Sequence, residues 1–447
     1  MKLRDIIDSP CGLRYMIETL PVASGYSLRY LMDSTACSTE EEVMESYAAL
    51  HSFLPAASDG NLVAMLHSEL CTLKNISSTL DRLESACTVD DIELFEVKHL
   101  IMLGRRVSAL LSASGWPALS PDVSFTDSPL SVLDPDGTGI ASFYIYDSYS
   151  AELAGLRLRL GRETDPDARE SLMREEQQEE SRIRTGICED LRPSVPALRK
   201  LMESLAVLDI TFAKAVQVRT MNLCIPVLTS GKTVYKGMYH PYIKSVLEKS
   251  DKEFTPIDID FGDEPVVIIG ANMGGKTVVL KMAALCQYLF SFGMGIPAES
   301  AEIVLKKRVF FISGDAQDMG AGLSSFAAEM TAIDQVVRAS ETEGTDIVAM
   351  IDEPARSTNP IEGTALVEAL LRLMEGRSAA MLLTTHYNIS SACCRRLRVA
   401  GVENGKMNYR LCPAPDGAVP HEALNVAESL NISPEWIGEA KKLLKHE

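Results

Sequence analysis

Val266-Val-Ile-Ile-Gly-Ala-Asn-Met-Gly-Gly-Lys-Thr277 is the stretch that decides the fold of this 447-residue chain. Its four leading apolar residues predict a short buried strand, and the residues that follow at 278–285 predict a helix. A glycine-rich turn between a strand and a helix directs successive backbone N–H groups into one anion-sized concavity at the positive end of the helix. The sequence therefore predicts a phosphate-binding loop, and with it a bound nucleotide.

The residue types in this loop suit the phosphate chain of ATP. Glycine lets the main chain approach the phosphates without a Cβ in the way. In the pattern G-x-x-x-x-G-K-[ST], Lys276 is expected to meet the β and γ phosphates and the Thr277 hydroxyl to hold Mg²⁺. The predicted nucleotide-binding residues are Gly270, Asn272, Met273, Gly274, Gly275, Lys276 and Thr277.

The composition is that of an ordinary soluble globular protein. Hydrophobic residues make up 46% of the chain without a run of eighteen, so we expect a cytoplasmic protein with no membrane partner. The ten cysteines contain no C-x-x-C pair and are expected to be reduced thiols. A formal net charge of −19 disfavours duplex DNA as a partner, because duplex binders gain most of their non-specific affinity from Lys and Arg.

Four segments are predicted along the chain. Their boundaries are 1–118, 119–222, 223–415 and 416–447. The first is expected to be a helical lever or core region, because residues 40–54, 62–83 and 91–114 are apolar at helical spacing. The second is predicted to be a connector with a small sheet around the β-prone residues 140–146, followed by long helices. The third contains the phosphate loop, and the fourth is a short C-terminal segment.

Three further apolar runs follow the loop, at residues 309–313, 346–352 and 379–385, with helical segments between them. This alternation predicts an α/β fold in which a parallel or mixed sheet has helices on both faces. Ligands of such folds lie at the carboxyl ends of the strands. The predicted fold class is thus a P-loop ATPase domain preceded by a mainly α-helical region with a small β connector.

Two of these strand ends carry chemically useful side chains. Asp352 and Glu353 end one run, as needed for an acid that supports Mg²⁺ beside one that orients water, so Asp352 is the predicted metal-side acid and Glu353 the predicted base. His386 ends the next run and is expected at the same sheet edge. A lone histidine at a strand end is more often structural, but the neighbouring triphosphate site favours a role in sensing the γ phosphate or positioning water.

A second small-residue loop precedes a helix near Ser324. The start of that helix is suited to an anion, although the molecule already has one phosphate cradle. Such a site is most useful if it reaches the nucleotide of a neighbouring subunit across a two-fold axis. A plain helix cap at Ser324 or Ser325 is an equally good interpretation of the same residues.

Taken together, these motifs resemble the MutS family of ABC-type ATPases in both order and spacing. The segments that carry the resemblance are the phosphate loop, Ile296-Pro-Ala-Glu299, Leu323-Ser-Ser-Phe326 with Glu329-Met330, Ile351-Asp-Glu353 and Thr385-His-Tyr387. His240-Pro241 also resembles the pair that precedes the family's ATPase domain. The resemblance covers residues 205–447 and is faint before them.

The resemblance implies a dimeric ATPase in which ATP binding closes two domains and moves helical levers. It implies contact of Asn272 with the γ phosphate, contact of His386 with the catalytic water, and action of Ser324 across the dimer. It also implies that residues 416–447 contain a helix-turn-helix used for dimerisation. Lys276, Thr277 and the two acids keep the roles given above.

The chain departs from the family pattern in three places. Pro354-Ala-Arg-Ser-Thr358 replaces the usual Gly-rich loop after the two acids, although we expect hydrolysis to survive. No N-terminal mismatch-reading domain with its Phe-x-Glu wedge is apparent. The nuclease-type C-terminal module of the second MutS subfamily is also not expected, although the phosphate loop is most similar to that subfamily.

Two clients follow from the resemblance. The first is mismatched, branched or recombining DNA, bound by a homodimer or by a heterodimer with a related chain. The second is a protein, because short MutS-like chains resemble chaperone-type reactivases of cobalamin-dependent aminomutases. The negative charge and the short front end favour the second client, and the habit of most of the family favours the first.

Overall fold

The chain divides into two compact units. The computed structural model describes residues 1–270, 275–313, 325–377, 379–389, 394–403, 406–414 and 433–444. The α/β unit comprises Met1–Leu20, Ser34–Ala49 and Gln217–Glu447, and the helical unit comprises Pro21–Asp33 and Leu50–Val216. In these described parts, every helix is too short or too polar to traverse a lipid bilayer.

Helices and strands are numbered in chain order. The helices are α1 (Leu3–Ile6), α2 (Leu13–Glu18), α3 (Gly25–Asp33), α4 (Glu40–Phe53), α5 (Gly60–Leu70), α6 (Ser77–Glu84), α7 (Asp91–Ala113), α8 (Asp127–Leu133), α9 (Ala151–Leu160), α10 (Pro166–Leu191), α11 (Val195–Thr220), α12 (Pro241–Glu248), α13 (Lys276–Ser291), α14 (Ser325–Glu343), α15 (Pro360–Glu375) and α16 (Pro434–Leu444). The strands are β1 (Val227–Leu228), β2 (Thr233–Met238), β3 (Ile257–Phe261), β4 (Val266–Ile269), β5 (Ser300–Ile303), β6 (Arg308–Ile312), β7 (Ile347–Asp352), β8 (Ala380–Thr385), β9 (Arg395–Glu403) and β10 (Lys406–Pro413).

The core of the helical unit is built on α7. Asp90 caps this helix and forms a capping box with Glu93, which satisfies backbone donors at its first turn. Apolar residues at three and four residue spacing then bury one face of α7. Gly104 lies where α11 crosses closely, because a Cβ there would be 2.9 Å from a methyl carbon of Leu201. The long helices α10 and α11 agree with the expectation for this part of the chain.

One predicted helix is in fact two. The apolar spacing over 62–83 indicated continuous helix, whereas α5 ends at Leu70 and α6 begins at Ser77. The chain turns between them and buries Leu73 and Ile76, which are 4% and 2% exposed. Burial of these two side chains in the tertiary structure thus overrides the local helical pattern.

The strand predicted around residues 140–146 is wrong, since this segment forms no strand. It is held instead by Lys98 of α7, whose Nζ donates to the Ser142 carbonyl and the Tyr146 hydroxyl, both at 3.1 Å. The same ammonium pairs with Asp134 at 3.3 Å, and both side chains are buried. A buried charge requires such partners, so these contacts replace strand pairing as the constraint on the connector.

The described residues of the α/β unit form two sheets. The smaller has the order β1-β5-β2-β3, and the larger has the order β10-β9-β4-β8-β7-β6. In the larger sheet β6, β7, β8, β4 and β9 run parallel, and only β10 is antiparallel to its neighbour β9. The α/β fold class with a mixed sheet is therefore confirmed.

Helices cover both faces of the larger sheet. Alternate residues of β4, β7 and β8 pack with α14 and α15 in one hydrophobic cluster that includes Ile269, Ile351 and Leu383. The intervening strand residues, such as Ile268 and Met350, are also fully buried and point to the opposite face, where α13 lies against β6, β7 and β8. A strand buried on both faces reads as a continuous apolar run, which is why these strands were recognisable.

N-terminal residues complete the α/β unit around the end of α13. The Cys37 N–H donates to the Ser291 carbonyl at 2.8 Å. The Tyr47 hydroxyl donates to the Met294 carbonyl at 2.9 Å, and its ring stacks on Phe290 with centroids 5.7 Å apart. No pattern in the sequence indicated that these residues belong with the phosphate loop. The four segment boundaries themselves stay a prediction.

His240, from the predicted histidine-proline pair, is the buried cap of α12. Its Nδ1 accepts a long hydrogen bond from the Ile243 N–H at 3.5 Å, and only 3% of the residue is exposed. Gly12 lies so close that a Cβ there would be 2.5 Å from the imidazole. Burial, assisted by the positive charge of Lys281, lowers the pKa of His240 to about 4. Protonation would therefore oppose both burial and capping.

We expect His240 to make the fold acid-sensitive. A histidine with a lowered folded-state pKa stabilises the fold above its unfolded-state pKa, near 6.5, and loses that contribution as the pH falls toward 4. The free energy of unfolding should then drop by roughly 3 kcal/mol across this window. His240→Asn keeps a capping oxygen without a titrating group, so its denaturant midpoint should fall less than that of the wild type. Replacement of the exposed His67 by Asn is the control, and equal pH slopes for all three proteins would disprove the assignment.

Candidate functional site

The phosphate loop lies between a buried strand and a helix, as the sequence predicted. All four residues of β4 are buried, and α13 begins at Lys276. Gly270, Gly275, Lys276 and Thr277 are described, whereas Asn272, Met273 and Gly274 lie outside the described residues. The two ends of the loop and the strands beside it define the geometry of the site.

Gly275, the cap of α13, occupies a position that only glycine fits well. Its φ is +76°, in the left-handed region that L side chains avoid. A Cβ at this position would also be 2.9 Å from the ring of Tyr409, a residue of β10. Gly275 thus lies against an aromatic ring at the point where the helix begins.

Lys276 turns inward, over its own loop. Its Nζ donates to the Gly270 carbonyl at 2.5 Å and lies 3.3 Å from an Oε1 of Glu353. The side chain of Lys276 is only 3% exposed. A buried ammonium thus lies at the mouth of the loop, and a carboxylate compensates its charge.

Asp352 uses both oxygens of its carboxylate. The Thr277 hydroxyl donates to Oδ2 at 2.8 Å, and the Thr384 hydroxyl donates to Oδ1 at 2.6 Å. The parallel register of β7 and β8 pairs Asp352 with Thr384, which explains why the two side chains meet. The structure thereby brings the two predicted metal ligands, Thr277 and Asp352, into direct contact.

Thr384 is a site residue that sequence reasoning missed. Besides its bond to Asp352, its hydroxyl accepts a hydrogen bond from the Glu353 N–H at 2.9 Å. One buried hydroxyl therefore orients both acids. A threonine at a buried strand end is common, so its role could be read only from the register of the sheet.

Glu353 is held in an unusual backbone conformation between two positive charges. Its φ is +47°, and Ala355 two residues later has φ +60°; each left-handed residue costs about 1 kcal/mol or more. Besides the Lys276 contact, Glu353 pairs with Arg356 at 3.4 Å. The side chain of Glu353 is 11% exposed, whereas that of Arg356 is 65% exposed and contributes less to the charge balance.

His386 and Ser324 are less closely tied to this cluster. His386 follows β8 and is exposed, with its ring centroid 4.3 Å from that of Tyr387. It lies at the predicted sheet edge, but within the described part of the chain no hydrogen bond joins its ring to Asp352 or Glu353. Ser324 lies outside the described residues, one position before α14 begins.

A cavity of about 310 Å³ adjoins the start of α13. Gly275, Val279 and Met282 line one side, and the aromatic residues Phe254 and Tyr409 line others. The sequence analysis did not predict this cavity, because its walls come from segments far apart along the chain. An aromatic and apolar cavity beside an anion-binding helix start suits a flat heterocycle attached to phosphates.

The chain is similar in sequence to known proteins. The MutS domain V family matches residues 266–412, which include the loop, both acids and Tyr409. Endonuclease MutS2 of Caldanaerobacter subterraneus subsp. tengcongensis is 31% identical over 285 residues, or 61% of this chain and 34% of the relative. DNA mismatch repair protein MutS of Exiguobacterium sp. is 29% identical over 265 residues, or 57% of this chain and 31% of the relative.

A second Endonuclease MutS2, from Caldicellulosiruptor saccharolyticus, is 34% identical over 214 residues, or 47% of this chain and 25% of the relative. The chain thus spans only about a quarter to a third of the length of these curated relatives. Together with the loop, strand order and acids described above, these matches assign the α/β unit. Residues 266–412 of the chain are therefore a MutS domain V, a P-loop ATPase-type domain.

Proposed function

We propose that this chain binds ATP with Mg²⁺ and hydrolyses the ATP to ADP and phosphate. The observation that carries the proposal is the convergence of Lys276, Thr277, Asp352 and Glu353 at one sheet edge beside the start of α13. A cation for phosphate oxygens, oxygen ligands for a metal and a carboxylate base are the parts that phosphoryl transfer to water requires.

The phosphates would take over Lys276 from its present partners. Backbone N–H groups at the start of α13 and the Lys276 ammonium supply positive charge to the β and γ phosphates. Because that ammonium now pairs with Glu353, ATP binding would release the carboxylate as the phosphates replace it. Asn272 is proposed to contact the γ phosphate, and Met273 and Gly274 to complete the loop.

Thr277 and Asp352 fit a magnesium ion in donor chemistry. Mg²⁺ prefers hard oxygen ligands, and a hydroxyl and a carboxylate lie here in direct contact. Because the Thr277 proton is donated to Asp352, the lone pairs of the Thr277 oxygen remain for the metal. When bound, Mg²⁺ would neutralise charge that develops on the phosphate oxygens.

Glu353 would act as the general base. Its carboxylate accepts a proton from water as the water oxygen bonds to the γ phosphorus, and the bond from that phosphorus to the oxygen bridging to the β phosphate breaks. ADP leaves with the electron pair of that bond. His386, exposed at the same sheet edge, is proposed to help position the water.

The cavity beside Gly275 is the proposed site of the adenine ring. Phe254 and Tyr409 offer aromatic faces, and the cavity opens at the helix start where the phosphates would bind. A volume of about 310 Å³ is of the order expected for a small-molecule site.

The proposed assembly is a dimer that acts on DNA. The curated relatives are named as an endonuclease and as a DNA mismatch repair protein, which favours mismatched, branched or recombining DNA as the client. We place Ser324 at the nucleotide of the partner subunit, in a homodimer or a heterodimer with a related chain. In the proposed dimerisation segment, α16 exposes 68% of Trp436, a side chain suited to an interface.

A protein client is the second candidate. The net charge of −19 opposes binding to a polyanion and favours this alternative, in which the ATPase drives reactivation of a cobalamin-dependent aminomutase. Both candidates use the same ATP site, so they differ only in what the hydrolysis cycle moves.

Glu353→Gln tests the base. We expect turnover of ATP to fall at least about 100-fold, because a general base contributes that much or more. ATP should bind at least as tightly as to the wild type, since the substitution removes the charge that now competes for Lys276. Phosphate release and the affinity for a fluorescent ATP analogue are the measurements. Glu362→Gln, on the exposed side of α15, is the control, and unchanged turnover in Glu353→Gln would refute the assigned base.

Thr384→Val tests the orientation of the two acids. The variant keeps the shape of the side chain but loses both hydrogen bonds, so the Mg²⁺ concentration for half-maximal nucleotide binding should rise about tenfold. Thr384→Ser retains the hydroxyl and should remain near the wild-type value. If the two variants respond to Mg²⁺ alike, the hydroxyl does not organise the metal site.

Salt titrations distinguish the two clients. If DNA is the client, the purified chain should bind duplex, branched or single-stranded DNA at low salt, and the affinity should fall steeply with salt concentration. Fluorescence anisotropy with and without ATP would measure this. An absence of binding to all three at low salt would exclude DNA and favour the protein client.

A further inference from the structure

The backbone of Ala355 is held from both sides by side chains that have no role in the function proposed above. Its N–H donates to Oε1 of Glu329, a residue of α14, at 3.3 Å. Its carbonyl accepts a hydrogen bond from the hydroxyl of Tyr387 at 2.6 Å. Ala355 itself is fully buried, and we call these two contacts the Ala355 clamp.

The turn that the clamp holds is one that would not persist by itself. Glu353 and Ala355 are both left-handed, with φ of +47° and +60°, and neither is glycine. Such conformations persist only where the surroundings determine them. The start of the turn is fixed by Thr384 at the Glu353 N–H, and its far end is fixed by the clamp.

Tyr387 is itself firmly placed. It is 6% exposed, and its N–H donates to the Thr385 hydroxyl at 3.0 Å. Gly363 of α15 lies so close that a Cβ there would be 2.4 Å from the Tyr387 hydroxyl oxygen. The packing of α15 thus leaves the hydroxyl little room to turn away from Ala355.

Glu329 has the character of a fixed acceptor as well. It is partly buried, and burial raises its pKa, opposed by the bond from Ala355 and by the charge of Arg356. Its oxygen reaches the main chain of the turn from a different helix than the one behind Tyr387. Two elements therefore agree on a single position for Ala355.

We propose that Glu329 and Tyr387 are positioning residues for ATP hydrolysis, which hold the Ala355 turn so that the Glu353 carboxylate faces the nucleotide. This inference rests on the proposed function. The proposed function assigns neither residue a contact with the nucleotide, so the clamp should act on the rate of the chemical step and leave nucleotide affinity nearly unchanged.

Tyr387→Phe removes one hydroxyl and keeps the ring. Turnover of ATP should fall about tenfold, the effect of one lost hydrogen bond, while the dissociation constant for nucleotide stays within about twofold. Tyr47→Phe is the matched control, because Tyr47 is also buried and its hydroxyl also donates to a backbone carbonyl, that of Met294, at 2.9 Å. Thermal midpoints of the two variants show whether their stability losses are alike.

Glu329→Ala and Glu329→Gln test the other side of the clamp. The alanine variant loses the acceptor and should lose turnover by a similar factor, whereas glutamine keeps an acceptor oxygen and should restore most of it. In a Glu353→Gln background, Tyr387→Phe should cause no further loss, because the residue it positions is already disabled.

The outcomes are distinguishable. Wild-type protein that binds no ATP or does not hydrolyse it overturns the proposed function and this inference together. Wild-type hydrolysis with equal turnover in Tyr387→Phe and Tyr47→Phe overturns the clamp alone. A loss of nucleotide affinity that matches the loss of turnover also overturns it, because the residue would then shape binding instead of the chemical step.

Discussion

The hydrogen bond from Thr277 to Asp352 is the constraint on which the rest of the site depends. It joins the first turn of α13 to the end of β7, although β8 separates β7 from β4 in the sheet. Thr384, from the intervening strand β8, bonds to the same carboxylate and fills the gap. One aspartate therefore ties together the ends of β7 and β8 and the first turn of α13, so the sheet fixes the position of the helix start.

The second constraint is the balance of buried charge. The Lys276 ammonium is compensated by Glu353, and removal of only one partner of a buried charge pair strongly destabilises a protein. A triphosphate brings the negative charge that can replace the carboxylate. In the proposed function, binding of ATP and release of the Glu353 carboxylate would be two aspects of one exchange of partners.

Local patterns were sufficient to predict the α/β fold, because β4, β7 and β8 are buried on both faces and read as apolar runs. The meeting of Thr277 and Asp352 also followed, since parallel strands present their carboxyl ends at one edge. Thr384, the left-handed turn at Glu353 and the cavity wall at Phe254 did not follow, because each depends on register or on contacts between distant segments. The segment 140–146 misled for the same reason: its β-prone composition says nothing of the buried ammonium of Lys98 that holds it.

The contact between Tyr409 and Gly275 has a consequence for the edge of the sheet. Strand β10 pairs with β9 alone within the described sheet, so its backbone hydrogen bonds depend on a single neighbour. A heterocycle in the cavity would gain a contact with Tyr409 only while β10 is docked. By thermodynamic reciprocity, occupancy of the cavity would then protect the amides of this outermost strand from hydrogen exchange, and fraying of the strand would weaken the ligand.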